Sequence, residues 1–292
     1  MKKFIIFRGG LGNQIFQYAA SSTAFNDHIQ SGKLYYINSP LGLAGRELGI
    51  QNFQIKNLKF NSNFLINYIL VPLFLKYSFL FTWKFPLINF SIISIEKNIL
   101  FDRDIFKKNA FFYIGYFQSE KYFSAHRKRI LDELSFSKTS SSTLKMYKKL
   151  IQSSPISIAL HVRRGDYISN SNANAIHGFC GAEYYWNSIE FLKKHNRELQ
   201  FFIFSDDIEW CKASFKGTDF SFIESAELQD SDEIYLMSIC NHNIISNSSF
   251  SWWGAWLNNN KNKTIIAPKK WFVDDDTESY AGDIVPKEWL RL

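Results

Sequence analysis

The chain is too poor in cysteine to be held by disulfides: Cys180, Cys211 and Cys240 are its only three, odd in number and widely spaced. No paired-cysteine spacing suggests zinc, so a reducing compartment, the cytoplasm, is the expectation. Long uninterrupted apolar runs are also missing. Phe4–Phe7, between Lys3 and Arg8, is too short for the core of a signal peptide and reads as a buried opening strand. Residues 64–82 are strongly apolar, but Asn67, Pro72 and Lys76 interrupt them. A spanning helix needs about 20 apolar residues without a central charge. The segment is therefore read as buried or acceptor-side, with shallow peripheral contact to the inner face of the cytoplasmic membrane as the alternative. There is no dense basic tract. The nearest, His126-Arg127-Lys128-Arg129, reads as a solvated helix face, and no nucleic-acid-binding signature occurs, so no nucleic-acid partner is expected. Zinc-protease, serine-elbow and cysteine–histidine arrangements are absent, as is any internal repeat of fixed period.

What is present is ordinary globular composition. Apolar residues make up 46% and charged residues 21% of 292 residues, a length that favours two domains. Aromatics reach 17%, mainly from 29 Phe, which reads as a mutational bias of the source genome. The formal charge of +7 favours anionic ligands.

The chain opens as strand, glycine turn, helix and strand: Lys3–Phe7, Arg8–Gly12, Asn13–Phe25 and Leu34–Ile37. That order is an α/β signature. Residues 40–110 resist parsing; 110–117 read as a strand and 119–134 as a helix. A Ser/Thr/Lys-rich stretch at 135–154 marks the junction, giving domains 1–150 and 151–292. The second domain alternates strands and helices, and three of its strands end in polar clusters, at Arg163-Arg164-Gly165-Asp166, Ser205-Asp206-Asp207 and Asn247-Ser248-Ser249. Ligands of open parallel sheets bind at such carboxyl ends.

Three constellations could carry chemistry. In His161-Val162-Arg163-Arg164-Gly165-Asp166, two adjacent arginines after a buried strand need an anion or a carboxylate. Guanidinium forks match phosphate oxygens bidentately, while an Arg–Asp pair at a strand end is the plain structural reading. In Gly9-Gly10-Leu11-Gly12-Asn13-Gln14, a glycine turn enters a helix N-terminus, which suits an anion, and the amides of Asn13 and Gln14 can donate to sugar hydroxyls or phosphate. This is neither a dinucleotide fingerprint nor a phosphate-binding P-loop. In the third, a strand delivers Asn247, Ser248 and Ser249 to a helix start, where capping and phosphate binding both fit. Trp252, Trp253 and Trp256 read as packing residues. Asp102-Arg103-Asp104 and Asp230-Ser231-Asp232 match the Asp-x-Asp pattern that holds a divalent cation in many glycosyltransferases, but such matches arise by chance among 27 acids. The arginine pair supplies positive charge itself, so no metal is expected.

The segments at 9–20 (GGLGNQIFQYAA), 161–167 (HVRRGDY), 204–207 (FSDD) and 247–257 (NSSFSWWGAWL) resemble the bacterial α-1,2-fucosyltransferases, in that family's order. With 115–123 and 265–272 they span nearly the whole chain. The resemblance implies a GT-B-like α/β fold of two facing Rossmann-like domains with the donor cleft between them, the donor lying mainly on the C-terminal half. It implies inverting, metal-independent transfer of fucose from GDP-β-L-fucose to the 2-hydroxyl of a glycan acceptor, with a terminal galactose in O-antigen or lipopolysaccharide synthesis as the expectation. It also implies that Arg163 and Arg164 contact the diphosphate, that His161 with Asp206 or Asp207 recognises guanine, and that Ser248, Ser249 and Phe250 lie near the phosphates. Asn13, with Gly10 and Gly12, would lie close to the donor. The general base stays open among Asp166, Glu120, His177 and none, the last leaving the proton to the phosphate of GDP. The rivals are a fucosyltransferase of other linkage, such as α-1,6, and a non-catalytic nucleotide- or glycan-binding protein.

Overall fold

The computed structural model describes every residue except 27, 29–30, 78–83, 86–89, 98, 136–140, 166–177, 196 and 225. The chain divides into two compact units, Met1–Ser135 and Phe136–Leu292.

The first unit is built on a sheet of β1 (Lys3–Ile6), β2 (Leu34–Ile37), β3 (Lys84–Phe85), β4 (Phe90–Ile95) and β5 (Ala110–Ile114), in the order β2-β1-β5-β4-β3. All neighbours are parallel except β3 against β4. Helix α1 (Leu11–Ala24) connects β1 to β2, and between residues 11 and 22 only Asn13 escapes burial. β4, the run Phe-Ser-Ile-Ile-Ser-Ile after Asn89, falls inside the 40–110 stretch that resists parsing. The single helix expected over 119–134 is two short 3₁₀ turns followed by Arg127–Glu133. Phe123 breaks it, leaving helical geometry (φ −144°, ψ −5°) as its ring is buried against Phe16.

The second unit carries β6 (Ile156–Val162), β7 (Leu199–Ser205), β8 (Phe220–Phe222), β9 (His242–Ile244), β10 (Ile265–Ala267) and β11 (Leu290–Arg291), all parallel, in the order β11-β10-β9-β6-β7-β8. Numbered from β6, this is the order 3-2-1-4-5-6 of the doubly wound nucleotide-binding sheet. β6 lies at its centre, and its residues 157–162 are all buried, as expected of a strand covered on both faces. The longer helices are α2 (Ser142–Ser153), α3 (Ala182–His195), α4 (Ile208–Ser214), α5 (Asp230–Ser238) and α6 (Ser249–Leu257). α5 and α6 pack closely because residue 254 is glycine: a Cβ there would lie 2.7 Å from Cβ of Met237. Trp252, Trp253 and Trp256 are buried, and Trp252 Nε1 donates to the Ile284 carbonyl at 2.8 Å, so they do pack the helix. Among the described residues no helix is long and apolar enough to cross a membrane.

Candidate active site

The sheet of the second unit reverses its winding at β6, which has β7 on one side and β9 on the other. A crevice between the loops leaving β6 and β9 is where such a sheet binds ligands. His161, on the last turn of β6, is buried, and its Nδ1 lies 2.9 Å from the Ser246 hydroxyl, two residues past β9. Burial, reinforced by the Arg163 charge, pushes the imidazole down to about 3, so it is neutral at any working pH. The Phe250 ring, at the start of α6, lies 5.6 Å from it.

The two arginines take different settings. Arg163 Nη1 reaches Asp206 at 3.3 Å. Arg164 pairs with Asp207, its guanidinium lies 5.0 Å over the Trp210 ring, and its backbone N–H donates to Asp206 at 2.9 Å. Asp207 also caps α4 by accepting from the Trp210 N–H. A side chain at residue 165 would be crowded, since its Cβ would sit 3.1–3.2 Å from the backbone and carboxylate of Asp206. The structural Arg–Asp pairing is therefore present, yet it does not satisfy Arg164. Its Nε is buried and has no hydrogen-bond partner among the described residues. Such an orphan donor costs about 1–3 kcal/mol until an acceptor arrives.

Ser248 caps α6 by accepting from the Phe250 N–H at 3.3 Å, and Ser249 opens the helix. Asn247 is buried, its amide donating to the carbonyls of Gly178 and Trp271. His161, Arg163, Arg164, Asp206, Asp207, Ser248, Ser249 and Phe250 thus gather at the carboxyl ends of β6, β7 and β9. Asp166 and His177 lie outside the described residues. Glu233 on α5 was not foreseen from sequence. Burial, with the charges of Asp230, Asp206 and Asp232, pushes its carboxyl up to about 7, and it has no hydrogen-bond or ion-pair partner among the described residues. The available signal was its place one turn before buried Met237, on the inward side of a helix whose other early acids face its start.

The first unit has its own reversal between β1 and β5. Gln17 ties the two strand ends together: it accepts from the Arg8 N–H at 3.0 Å and donates to the Gly115 carbonyl at 3.0 Å. The Arg8 guanidinium lies 4.8 Å over the Tyr116 ring, and Asn13 accepts from Gln118 at 2.7 Å. Glu96 accepts the backbone N–H groups of Tyr116 and Phe117 at 2.7 and 3.0 Å, and burial outweighs those bonds to push its carboxyl up to about 7. Gly9 takes a left-handed turn (φ +72°) and Gly10 is the uncapped N-cap of α1 with open space beside it, whereas Gly12 is buried. Gln14 departs from expectation. Its amide is buried, donating to the carbonyls of Gly9 and Glu47 and accepting from Gly49 and Ile50, so it holds loops together and has nothing left for a ligand. Glu120 belongs to this unit, in the turn Glu120–Tyr122. Arg8 is the residue that sequence reading passed over, although it follows β1 as Arg163 follows β6.

Asp104 and Asp102 engage Lys107 and Lys108 at 2.9 and 3.3 Å, and Asp232 closes the capping box of α5. Among the described residues no group of three or more His, Cys, Asp or Glu is placed to hold a metal ion.

The model of the family described as Glycosyl transferase family 11 matches residues 4–292. An alpha-1,2-colitosyltransferase of Escherichia coli is 34% identical over 293 residues, 97% of this chain and 96% of that protein. The O-antigen biosynthesis glycosyltransferase WbnK of Escherichia coli is 29% identical over 313 residues, covering 97% and 98%. Galactoside 2-alpha-L-fucosyltransferase SEC1 of Bos taurus is 24% identical over 103 residues, 34% of this chain and 28% of that protein.

Proposed function

The chain belongs to glycosyl transferase family 11, and we propose that it transfers L-fucose from GDP-β-L-fucose to the 2-hydroxyl of a galactoside, forming an α-1,2 linkage in surface-polysaccharide synthesis. The observation that carries this reading is the arginine pair at the sheet reversal, with the buried Nε of Arg164 lacking an acceptor among the described residues. A diphosphate oxygen supplies that acceptor. As the glycosidic bond breaks, negative charge collects on the β-phosphate and the sugar gains oxocarbenium character. Arg163 and Arg164, already oriented by Asp206, Asp207 and Trp210, stabilise that charge without reorganising. The first-turn N–H groups of α6, beyond the Ser248 cap, add a dipole of the right sign. In this proposal no metal takes part.

Guanine presents an N1–H and a 2-amino group, which a carboxylate accepts. Asp206 and Asp207 are committed to arginines, so Glu233, whose carboxyl feels the Asp206 charge, takes that role. The full-length similarity to a colitosyltransferase supports a second reading of the donor. Colitose is L-fucose without its 3-hydroxyl, so the same diphosphate and guanine contacts serve either sugar.

The test is incubation of the purified protein with GDP-fucose or GDP-colitose and a panel of galactosides, with and without chelator, followed by mass spectrometry and linkage analysis. An α-1,2-fucosylated product formed in chelator is the expected outcome. Product from GDP-colitose alone transfers the assignment to the second reading. A different linkage, or dependence on added Mn²⁺ or Mg²⁺, overturns the proposal in that respect, and no turnover of either donor overturns it entirely.

A further inference from the structure

Residues 64–76 form a helical segment in the first unit whose two sides are both apolar. Its inner side is accounted for: Val71 and Phe74 are buried in the core, with the Phe74 ring 5.0 Å from Phe112 on β5. Asn67 pins the start by exchanging hydrogen bonds with Asn61, each 2.8 Å long. Pro72 has no N–H to give and crowds the preceding turn, and the helix widens to π geometry over Ile66–Leu70 just before it.

The outer side has no such explanation. Phe64, Leu65, Tyr68, Ile69, Leu73 and Tyr77 are 65, 60, 52, 45, 42 and 39% exposed, and their spacing of four places them in one stripe. A helix that is apolar all round belongs in an interior, and an exposed apolar stripe of this size marks a contact surface. The charges around it select the partner. Between Glu47 and Glu96 the sequence has no Asp or Glu but has Lys56, Lys59, Lys76 and Lys84. Lys56, Lys59 and Lys76 are exposed, and Lys59 lies two residues before the Asn61 that holds the helix. A second copy of the chain would set these lysines against their counterparts, and each copy is already +7. An anionic lipid headgroup layer offers opposite charge at the height of the lysines and an apolar boundary below it.

We propose that the 64–77 stripe docks the protein on the surface of an anionic bilayer, with Phe64, Leu65, Tyr68, Ile69 and Leu73 entering the headgroup–acyl boundary and the lysines resting on the headgroups. This surface does not depend on which sugar the protein transfers.

The experiment is sedimentation of the full chain with phosphatidylglycerol-containing vesicles and with pure phosphatidylcholine vesicles. Partitioning should favour the anionic vesicles and fall as salt rises. Lys56→Gln, Lys59→Gln and Lys76→Gln together should weaken it about a hundredfold, at roughly 1 kcal/mol per lysine. Leu65→Ser, Ile69→Ser and Leu73→Ser together should weaken it by at least about tenfold, with a thermal midpoint close to that of the unaltered chain because these side chains are outside the core. Equal binding to neutral vesicles, or binding unchanged by both sets of substitutions, overturns the proposal. So does a dimer in solution that the serine variant converts to monomers, which would identify a second copy as the occupant.

Discussion

At the scale of single residues, the arginine pair was legible and its division of labour was not. Two arginines after an apolar strand announce an anion site, but nothing in the letters says which one is orphaned. The structure separates them: Arg163 has an ion pair, while Arg164 has an ion pair, a stacked indole and a buried Nε with no partner among the described residues. Either alanine substitution should cost about 10²–10³ in kcat, the usual loss for one preorganised group facing developing charge. Arg164→Lys should not rescue activity, because an ammonium has neither the fork nor the flat face. Release of GDP, followed by a coupled assay, reads both effects; near-normal turnover by folded variants would remove the pair from the mechanism. Glu233 was hidden because its acidic neighbours read as a helix opening. If it accepts from guanine it must be ionised, so the KM for the GDP-sugar should fall as pH rises through about 7. Glu233→Gln should raise that KM about tenfold to a hundredfold, as expected for lost hydrogen bonds to a charged group, and should flatten its pH dependence. A structural role alone would leave the KM profile as it was.

At the scale of elements, the central strands and helices of the second unit were readable because several end in a polar signal: Arg163 after β6, Asp206 after β7, Ser248 before α6. The first unit was harder for a physical reason. β4 lies in a long apolar stretch where Pro86 and Asn89 mark its start but no periodicity sets it apart, and Phe123 breaks the 119–134 helix through a burial that only the fold supplies. Gln14 and Asn13 show the same limit at adjacent positions: identical amide chemistry, one turned inward to tie loops and one left accessible beside Gln118. Element ends also make a prediction. Ser248 serves α6 as its cap and, in the proposed function, helps aim that helix at the diphosphate. Ser248→Ala should cost about 1 kcal/mol in urea unfolding and raise the KM for the GDP-sugar, whereas Ser248→Asn, another good cap, should recover the stability. Loss of stability without any change in KM would confine Ser248 to capping.

At the scale of the whole molecule, four buried titratable groups oppose one another. Glu96 and Glu233 are pushed up to about 7 by burial, so the folded protein keeps protons there that the unfolded chain releases from about 4.5 upward. The stability associated with these two is present below that lower value and is lost as pH rises through about 7. His161, pushed down to about 3, and His242, also lowered by burial, act in the other sense: folding expels protons that the unfolded chain holds below about 6.5. Their contribution is complete above 6.5 and is lost as pH falls. Between 4.5 and 6.5 the two pairs offset each other; outside that window each acts alone. The unfolding free energy should therefore be broad and flat in mild acid, fall below pH 4.5 as the histidines charge, and fall again between about 6.5 and 8 as the glutamates ionise, by on the order of a few kcal/mol at each end. Glu96→Gln with Glu233→Gln should abolish the alkaline decline and raise the thermal midpoint at pH 8, and should extend the acid decline upward to about pH 6.5, where the histidines then act unopposed. A midpoint at pH 8 that the double variant does not raise would mean that both carboxyls are already ionised, and held, in the folded chain. The expected outcome instead describes a fold that holds both carboxyls protonated in mild acid and gives up stability when they ionise.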